Sequence, residues 1–418
     1  MLSFFELSAV LLTLSALLGW VNHKYLPFPL TIGLLVMSVL VSLILVGIDA
    51  AVPDKRLFDA ITKTLSEIDF SAVVMQGMLA FLLFAGALHV DLGRLRSRAL
   101  PVIFLATFGT ALSTVIVGVV VWKAASLMGQ SMSLQWALVF GALISPTDPV
   151  AVMSTLKNIK VPPSLEVEMQ GESLFNDGIG IVMFTILLSF ATGISGERTT
   201  VGAVAELLLV EAGGGLLLGI ATGYLAYRAM RLIDDYAIEV LISLALVTAT
   251  YAMAQRLHVS GPLAVVAAGL LVGHRGPQDA MSDRTQTYLF GLWRLIDEIL
   301  NSVLFLLIGL EVLILRFDAN VLSIAALSIP IVLAARFIAV GLPTLVPRTQ
   351  RMMSVRNVPF LTWAGIRGGI SVALALSVPQ SSARSSILAA TYAVVLFSII
   401  VQGSTLGVVA KRTVLPRE

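Results

Sequence analysis

The sequence contains no cysteine and little charge, and each absence removes a class of function. Without cysteine the chain has no disulfide, no thiolate nucleophile and no cysteine-ligated metal. Only 12% of the residues are charged and the net charge is +2, which is too small to favour nucleic-acid binding. The histidines show no metal-ligand spacing, so we expect no resident metal or cofactor. They are His23, His89, His258 and His274.

Hydrophobic residues make up 57% of the 418 residues, and a soluble protein would carry about twice as much charge. We therefore expect an all-α polytopic membrane protein in which residues 1–418 form one membrane domain, with no soluble domain. Apolar runs long enough to span a bilayer, roughly 20 residues each, occur thirteen times. They lie at 7–22, 29–48, 69–90, 100–122, 134–156, 167–192, 202–228, 236–255, 259–274, 289–315, 319–345, 358–379 and 385–409.

The first run lacks a basic leading region and a small-residue cleavage site, so it is interpreted as a membrane helix rather than a signal peptide. Basic residues predict the orientation of the chain. With the N-terminus outside and the C-terminus inside, sixteen of the 27 Lys and Arg residues fall in inner connections and eight in outer ones. The remaining three lie within spans. We expect the plasma (inner) membrane of a prokaryote, with a cytoplasmic C-terminus.

Two of the spans contain residues that interrupt a helix. Span five carries Ser-Pro-Thr-Asp-Pro at residues 145–149, where the prolines remove backbone donors and clash with the preceding turn. Span twelve carries three glycines and Arg367 within residues 363–371. These two spans run in opposite directions, which predicts two inverted six-helix repeats, spans 1–6 and 8–13, with span seven as connector. Interrupted helices at matching positions of inverted repeats indicate a transporter's binding site.

Span six carries the densest group of polar side chains, Gly-Glu-Ser-Leu-Phe-Asn-Asp-Gly at residues 171–178. Ser173 and Asp177 share one face of a helix, and Glu172 and Asn176 share the adjacent face. Oxygen ligands of this kind suit a hard monovalent cation, and a carboxylate can exchange that cation for a proton. Asp177 lies about 15 Å inside the span at 1.5 Å per residue, which argues against an interfacial acidic cluster.

The break in span five should supply the neighbouring part of the site. Asp148 is either a cation ligand or a fixed charge that balances the dipole of the second half-helix, and we favour the dipole role. Thr147 would contribute oxygen to the ion. Arg367 needs an anion at this depth, for which Glu172 is the candidate and Asp148 the alternative.

Other features of the spans give further expectations. Arg336 and Glu311 are additional charges within spans, and we expect them to form a network with Asp297 or Glu298. A stripe of small residues in span seven would allow close helix approach, and packing within the chain is favoured over a dimer contact. The stripe consists of Gly215, Gly219 and Gly223.

The three motifs, residues 145–149, 171–178 and 364–371, resemble signature segments of the monovalent cation–proton antiporters, specifically the electroneutral NhaP/NHE-type branch. They occur in the family's order, and the resemblance covers essentially the whole chain. It implies an NhaA-like antiporter fold of about thirteen helices, with broken helices in spans five and twelve, that forms a homodimer in the lipid bilayer. One departure from the pattern is Ala85, where family members often carry an acid.

The resemblance also implies roles for individual residues. Asp177 would bind the transported cation and the proton, with Ser173 and Thr147 as further ligands. Asp148 and Asn176 would lie beside the site. Glu172 would face Arg367 as a charge-compensating ion pair. The Asn-Asp sequence at 176–177 resembles the branch that exchanges one cation for one proton.

These observations predict a secondary antiporter that exchanges sodium or lithium for protons, not an enzyme. Potassium–proton exchange within the same family is one alternative, and a sodium-coupled solute symporter of the same architecture is another. An intramembrane aspartyl protease is a weaker alternative, because Asp177 precedes its glycines and Arg367 would disturb a proton shared between two aspartates.

Overall fold

The computed structural model describes residues 4–26, 28–51, 70–130, 132–156, 161–193, 201–313, 319–345 and 354–414. These residues form helices and no strands, which confirms the predicted all-α class. The first half of the chain contains α1 (Phe4–Tyr25), α2 (Leu30–Ala51), α3 (Phe70–Leu88), α4 (Leu92–Ser97), α5 (Ala99–Leu127), α6 (Leu134–Ile144), α7 (Pro149–Leu156) and α8 (Pro163–Ala191). The second half contains α9 (Val201–Met230), α10 (Tyr236–Arg256), α11 (Gly261–Asp279), α12 (Asp283–Glu311), α13 (Ala319–Gly341), α14 (Val358–Trp363), α15 (Gly369–Leu376) and α16 (Arg384–Thr413).

Several helix starts follow from local sequence. Ser133, Asp235, Ser260 and Ser282 precede α6, α10, α11 and α12, and each side-chain oxygen accepts a hydrogen bond from a backbone N–H of the first turn. Proline stands at the first position of α7 and α8, where its missing N–H would have no helical partner. The caps explain why helices resume directly after short connections.

Helices cover all thirteen predicted runs, and within the described residues eight are long and apolar enough to cross a bilayer. The predicted count of thirteen spans therefore stays a prediction. Some of the shorter helices result from the two interruptions. The run in span five is divided into α6 and α7, and the run in span twelve into α14 and α15. The chain is an integral multi-pass membrane protein, and the outer face of α9 exposes Leu209, Leu217 and Leu225 as expected for lipid contact.

The helices pack in two sets. One set contains α5, α8, α13, α16 and the two broken helices, α6–α7 and α14–α15. The other set contains α2, α3, α9, α10, α11 and α12. Within the second set α9 packs tightly on α11. A Cβ at Gly215, Gly219 or Gly223 would collide with the backbone at Ser260, Ala264 or Ala268. This confirms the predicted use of the glycine stripe within the chain.

Candidate functional site

The helix in span five stops at Ile144 and resumes at Pro149, as its two prolines predict. The helix in span twelve stops at Trp363 and resumes at Gly369. Both interruptions leave peptide groups without helical partners. Because such groups are costly in a membrane, they must be satisfied by other parts of the protein.

The two interruptions cross and satisfy each other. The backbone N–H of Asp148 donates to the carbonyl of Ile366 at 2.7 Å. In return, the guanidinium of Arg367 donates to the carbonyls of Ser145 and of Pro146, the latter at 2.8 Å. The broken helices are therefore tied together by reciprocal hydrogen bonds.

Charged side chains stand at the helix ends created by this crossing. The Asp148 carboxylate accepts a hydrogen bond from the N–H of Val150 at 2.8 Å and so caps the positive end of α7. It also lies against Gly368, directly before α15, where any Cβ would overlap the carboxylate. Arg367 occupies the carbonyl end of α6. This arrangement agrees with the dipole role that we favoured for Asp148.

Thr147 is held between the break and α8. Its N–H donates to the amide oxygen of Asn176 at 3.3 Å, and its hydroxyl accepts from the amide nitrogen of Asn176 at 2.9 Å. The hydroxyl of Ser173 donates to the carbonyl of Thr147. The structure thus brings together three of the predicted site residues, and the Ser173 hydroxyl and Thr147 carbonyl form a close pair of oxygens.

Asp177 differs from its neighbours because no described residue donates a hydrogen bond to its carboxylate. Its side chain is only 5% exposed, and it lines the wall of a large cavity. The Asp148 carboxylate is near enough to interact with it electrostatically. An unpaired carboxylate at this depth calls for a cation or a proton.

The predicted ion pair between Glu172 and Arg367 is wrong as a direct contact, although the two side chains still interact electrostatically. Glu172, 1% exposed, forms a two-pronged pair with the guanidinium of Arg336 on α13, with one contact at 2.9 Å. Arg367 instead uses the carbonyls released by the break, which lie directly opposite it. Each terminal nitrogen of the Arg336 guanidinium donates to one oxygen of the Glu172 carboxylate. This bidentate geometry is the strongest arrangement for an arginine–carboxylate pair.

The expected network of Arg336 and Glu311 with Asp297 or Glu298 is also not found. Arg336 pairs with Glu172, whereas Glu311 has an electrostatic interaction with Arg384. Asp297 accepts from Asn301, one helical turn further along α12. The sequence analysis did not select Asn301, although its four-residue spacing from Asp297 was a usable signal.

The cavity has a volume of about 1470 Å³ and lies between the two sets of helices. It extends from Asp177 to the connection before α2, the end of α3 and the start of α8, all of which the charge bias places on the inner side. Ala85 lines the same wall as α12. Among the described residues of its lining, carboxylates outnumber the one arginine, Arg294, and these carboxylates would attract cations. They are Asp148, Glu166, Asp177, Asp297 and Glu298.

Crossed, broken helices around a buried carboxylate at the end of such a cavity define a secondary ion transporter. The family model described as "Sodium/hydrogen exchanger, transmembrane" matches residues 11–412. The chain is 43% identical to the Na(+)/H(+) antiporter NhaP of Pseudomonas aeruginosa, over 97% of this chain and 96% of that protein. It is 35% identical to the Na(+)/H(+) antiporter NhaH of Halobacillus dabanensis, over 89% and 91% of the two chains.

The solved structures agree on the fold. The sodium proton antiporter MjNhaP1 from Methanocaldococcus jannaschii superposes with a TM-score of 0.76, covering 98% of both chains at 18% identity. The chain belongs to the sodium/hydrogen exchanger family. It is a transporter rather than an enzyme, and the family resemblance seen in the three sequence motifs is confirmed.

Proposed function

We propose that this protein exchanges sodium for protons across the membrane, with Asp177 as the group that carries both. The observation that carries the proposal is the state of the Asp177 carboxylate, which is buried, faces the cavity and receives no hydrogen bond from the described residues. A cation or a proton can neutralise it, and the two compete for the same oxygens. This competition is sufficient to couple the two fluxes in opposite directions.

The cation would be held by groups from both broken and unbroken helices. Ser173 lies one turn before Asp177 on α8, and its hydroxyl is bonded to the Thr147 carbonyl. Rotation of that hydroxyl hydrogen would free two oxygens beside the carboxylate. We propose these three groups as cation ligands, with Asn176 and Asp148 fixing the break that presents Thr147.

The surrounding charges support exchange of one cation for one proton. Glu172 is neutralised by Arg336, and Asp148 is balanced at the helix ends that it caps. Asn176 stands where a second acid would add another exchangeable charge. Asp177 is then the one carboxylate beside the crossing that is left to exchange a cation for a proton, so each transport cycle would move no net charge.

The cavity reaches the predicted inner side, which supports an inward-facing conformation. We propose an N-terminus outside, a C-terminus in the cytoplasm, and a homodimer in the plasma membrane of a prokaryote. The absence of cysteine from the natural sequence allows single introduced cysteines to report the side of each connection. Cysteines at residues 91 and 235 should be labelled only from the inside, and labelling of either one from the outside would contradict this orientation.

The test is exchange in proteoliposomes loaded with a pH-sensitive dye. Addition of sodium should move protons in the wild type, and clamping the membrane potential should leave the rate unchanged. Asp177→Asn should reduce exchange to the protein-free background, because an amide cannot carry a proton between the two sides. Glu206→Gln, which removes an exposed carboxylate on α9, is the matched control and should retain exchange. Sodium-driven proton flux in Asp177→Asn would refute the assignment.

The same assay separates the other candidates. Equal or faster exchange with potassium would favour the potassium–proton alternative, and lithium completes the selectivity series. If protons and sodium compete for Asp177, the apparent KM for sodium should also rise as the pH falls. A sodium KM that does not change with pH would contradict a shared carboxylate.

A further inference from the structure

Span three contributes no carboxylate at residue 85, the position where the family resemblance led us to expect an acid. Ala85 occupies that position on α3, is 1% exposed and lines the cavity. The neighbouring helix in this wall is α12, whose Trp293 packs on Phe84 with ring centres 4.6 Å apart. Asp297 lies one turn after Trp293 on α12 and lines the same cavity as Ala85.

One face of α12 is directed toward the crossing of the broken helices. Asp297 and Asn301 are four residues apart, share one side of the helix and line the cavity. Further along, Leu304 fills the space beside Gly369, where a Cβ would overlap its side chain. Asp297 and Asn301 therefore lie on α12 between Trp293, which packs on α3, and Leu304, which packs on the first residue of α15.

Asn301 orients Asp297 and leaves oxygens free. Its amide nitrogen donates to the Asp297 carboxylate and to the Asp297 backbone carbonyl, both at 2.9 Å. Asn301 is 4% exposed and lines the cavity, yet its amide oxygen receives no hydrogen bond from a described residue. The second carboxylate oxygen of Asp297 likewise receives none. Two unpaired oxygens therefore adjoin one cavity, within electrostatic reach of Asp148.

We propose that Asp297 and Asn301 form a second binding site for the transported monovalent cation, in the cavity that Asp177 also lines. The proposal rests on the proposed sodium–proton exchange and assigns to Asp297 the carboxylate that Ala85 does not provide. A carboxylate and an amide oxygen suit a hard cation that keeps part of its water shell. Such a site binds weakly enough to release the ion onward to Asp177, as conduction between successive sites requires.

The first test is sodium affinity during exchange. Asp297→Asn keeps the shape of the side chain but removes its charge, and should raise the apparent KM for sodium about tenfold, equivalent to about 1.4 kcal/mol. The maximal rate should change little, because Asp177 still carries the ion and the proton. Glu298→Gln is the matched control on the exposed side of the same turn and should raise KM less than about twofold, the range of a general field effect.

A second substitution tests whether a carboxylate at residue 85 can replace that of Asp297. Ala85→Glu combined with Asp297→Asn returns a carboxylate to the α3 wall and should restore most of the lost sodium affinity. An equal KM increase in Asp297→Asn and Glu298→Gln would overturn the proposal, since it would show only the loss of negative charge from the cavity. A sodium KM unchanged by Asp297→Asn would also overturn it.

Direct binding separates this inference from the proposed function. Radioactive sodium should still bind weakly to purified Asp177→Asn in a scintillation proximity assay and should not bind to Asp177→Asn/Asp297→Asn. Equal binding by the two variants would refute the second binding site even where the wild type exchanges sodium for protons. Absence of exchange in the wild type would refute the proposed function, while the binding comparison would still decide whether Asp297 holds sodium.

Discussion

Two carboxylates on α8, only five residues apart, have almost equal burial and opposite surroundings. Glu172 is 1% exposed and paired through both oxygens with Arg336. Asp177 is 5% exposed, receives no hydrogen bond from the described residues and faces the cavity. One is neutralised by the protein itself, and the other depends on what enters from solution.

The difference shows that burial alone does not tell a carboxylate with a partner in the protein from one without. Removing water from a charge is costly, and the cost is recovered only when a partner with good geometry is supplied. For Glu172 the partner is built into α13, so the pair holds helices together. For Asp177 the described residues supply no such partner, and in the proposed exchange a mobile cation or proton would supply the counter-charge.

The strongest test of the comparison is to remove the partner of Glu172. Arg336→Ala should destabilise the fold by about 3–5 kcal/mol, because it leaves a buried charge without a partner. Thermal unfolding in detergent, followed by tryptophan fluorescence, measures the loss. Glu172→Gln combined with Arg336→Leu should recover much of the stability, and a double variant as unstable as Arg336→Ala would contradict the pairing.

Removal of the guanidinium from the crossing should have the next largest effect. Arg367→Ala leaves the carbonyls of Ser145 and Pro146 without their donor, and hydrogen bonds to a charged group contribute about 1.5–3 kcal/mol. Two such bonds would together exceed this range, but removal of the buried guanidinium also removes its desolvation cost. The same unfolding assay should therefore show a net loss of about 1.5–3 kcal/mol, below that of Arg336→Ala. A larger loss for Arg367→Ala would indicate that Glu172 depends on Arg367 after all.

A methyl group at the crossing should have a smaller effect. Gly368→Ala places a Cβ against the Asp148 carboxylate, and overpacking of this kind costs about 1–3 kcal/mol. Exchange should fall with it, because the displaced Asp148 belongs to the break that presents Thr147. Gly213→Ala, where the Cβ meets open space, is the control and should leave unfolding unchanged. Equal effects of the two substitutions would show that the close contact is unimportant.

The smallest expected change in stability is at Asp177. Asp177→Asn removes an unpaired charge and no hydrogen bond from the described residues, so the unfolding free energy should change by less than about 1 kcal/mol. This variant should be inactive and well folded, the reverse of a purely structural residue. A loss comparable to that of Arg336→Ala would mean that Asp177 has a structural partner.

Much of this architecture could be predicted from local sequence. Hydrophobic run lengths place the helices, and the prolines beside Thr147 locate the break because they act on the backbone of their own segment. The depth of Asp177 within its run predicted a buried carboxylate, which the structure shows. Each of these features depends on residues that are near each other in the chain.

Partner choice could not be predicted in the same way. Both Arg336 and Arg367 are arginines within spans, and only the packing of α13 on the helices around α8 decides which one reaches Glu172. Interrupted helices also expose carbonyls, which gave Arg367 a partner that no search for acidic residues would find. The role of Asn301 depends on which wall of the cavity α12 faces. Such contacts arise from tertiary structure.

The reciprocal bonds at the crossing have a mechanical consequence. Asp148 and Ile366 belong to helices more than 200 residues apart in sequence, yet a backbone hydrogen bond joins them at the centre of the site. Neither interruption can bend alone without breaking contacts that the membrane cannot replace. The expected motion is therefore a displacement of the joined pair as one rigid piece. The ion would move together with its ligands, and the hydrogen bonds that join the two interruptions would be kept during the movement.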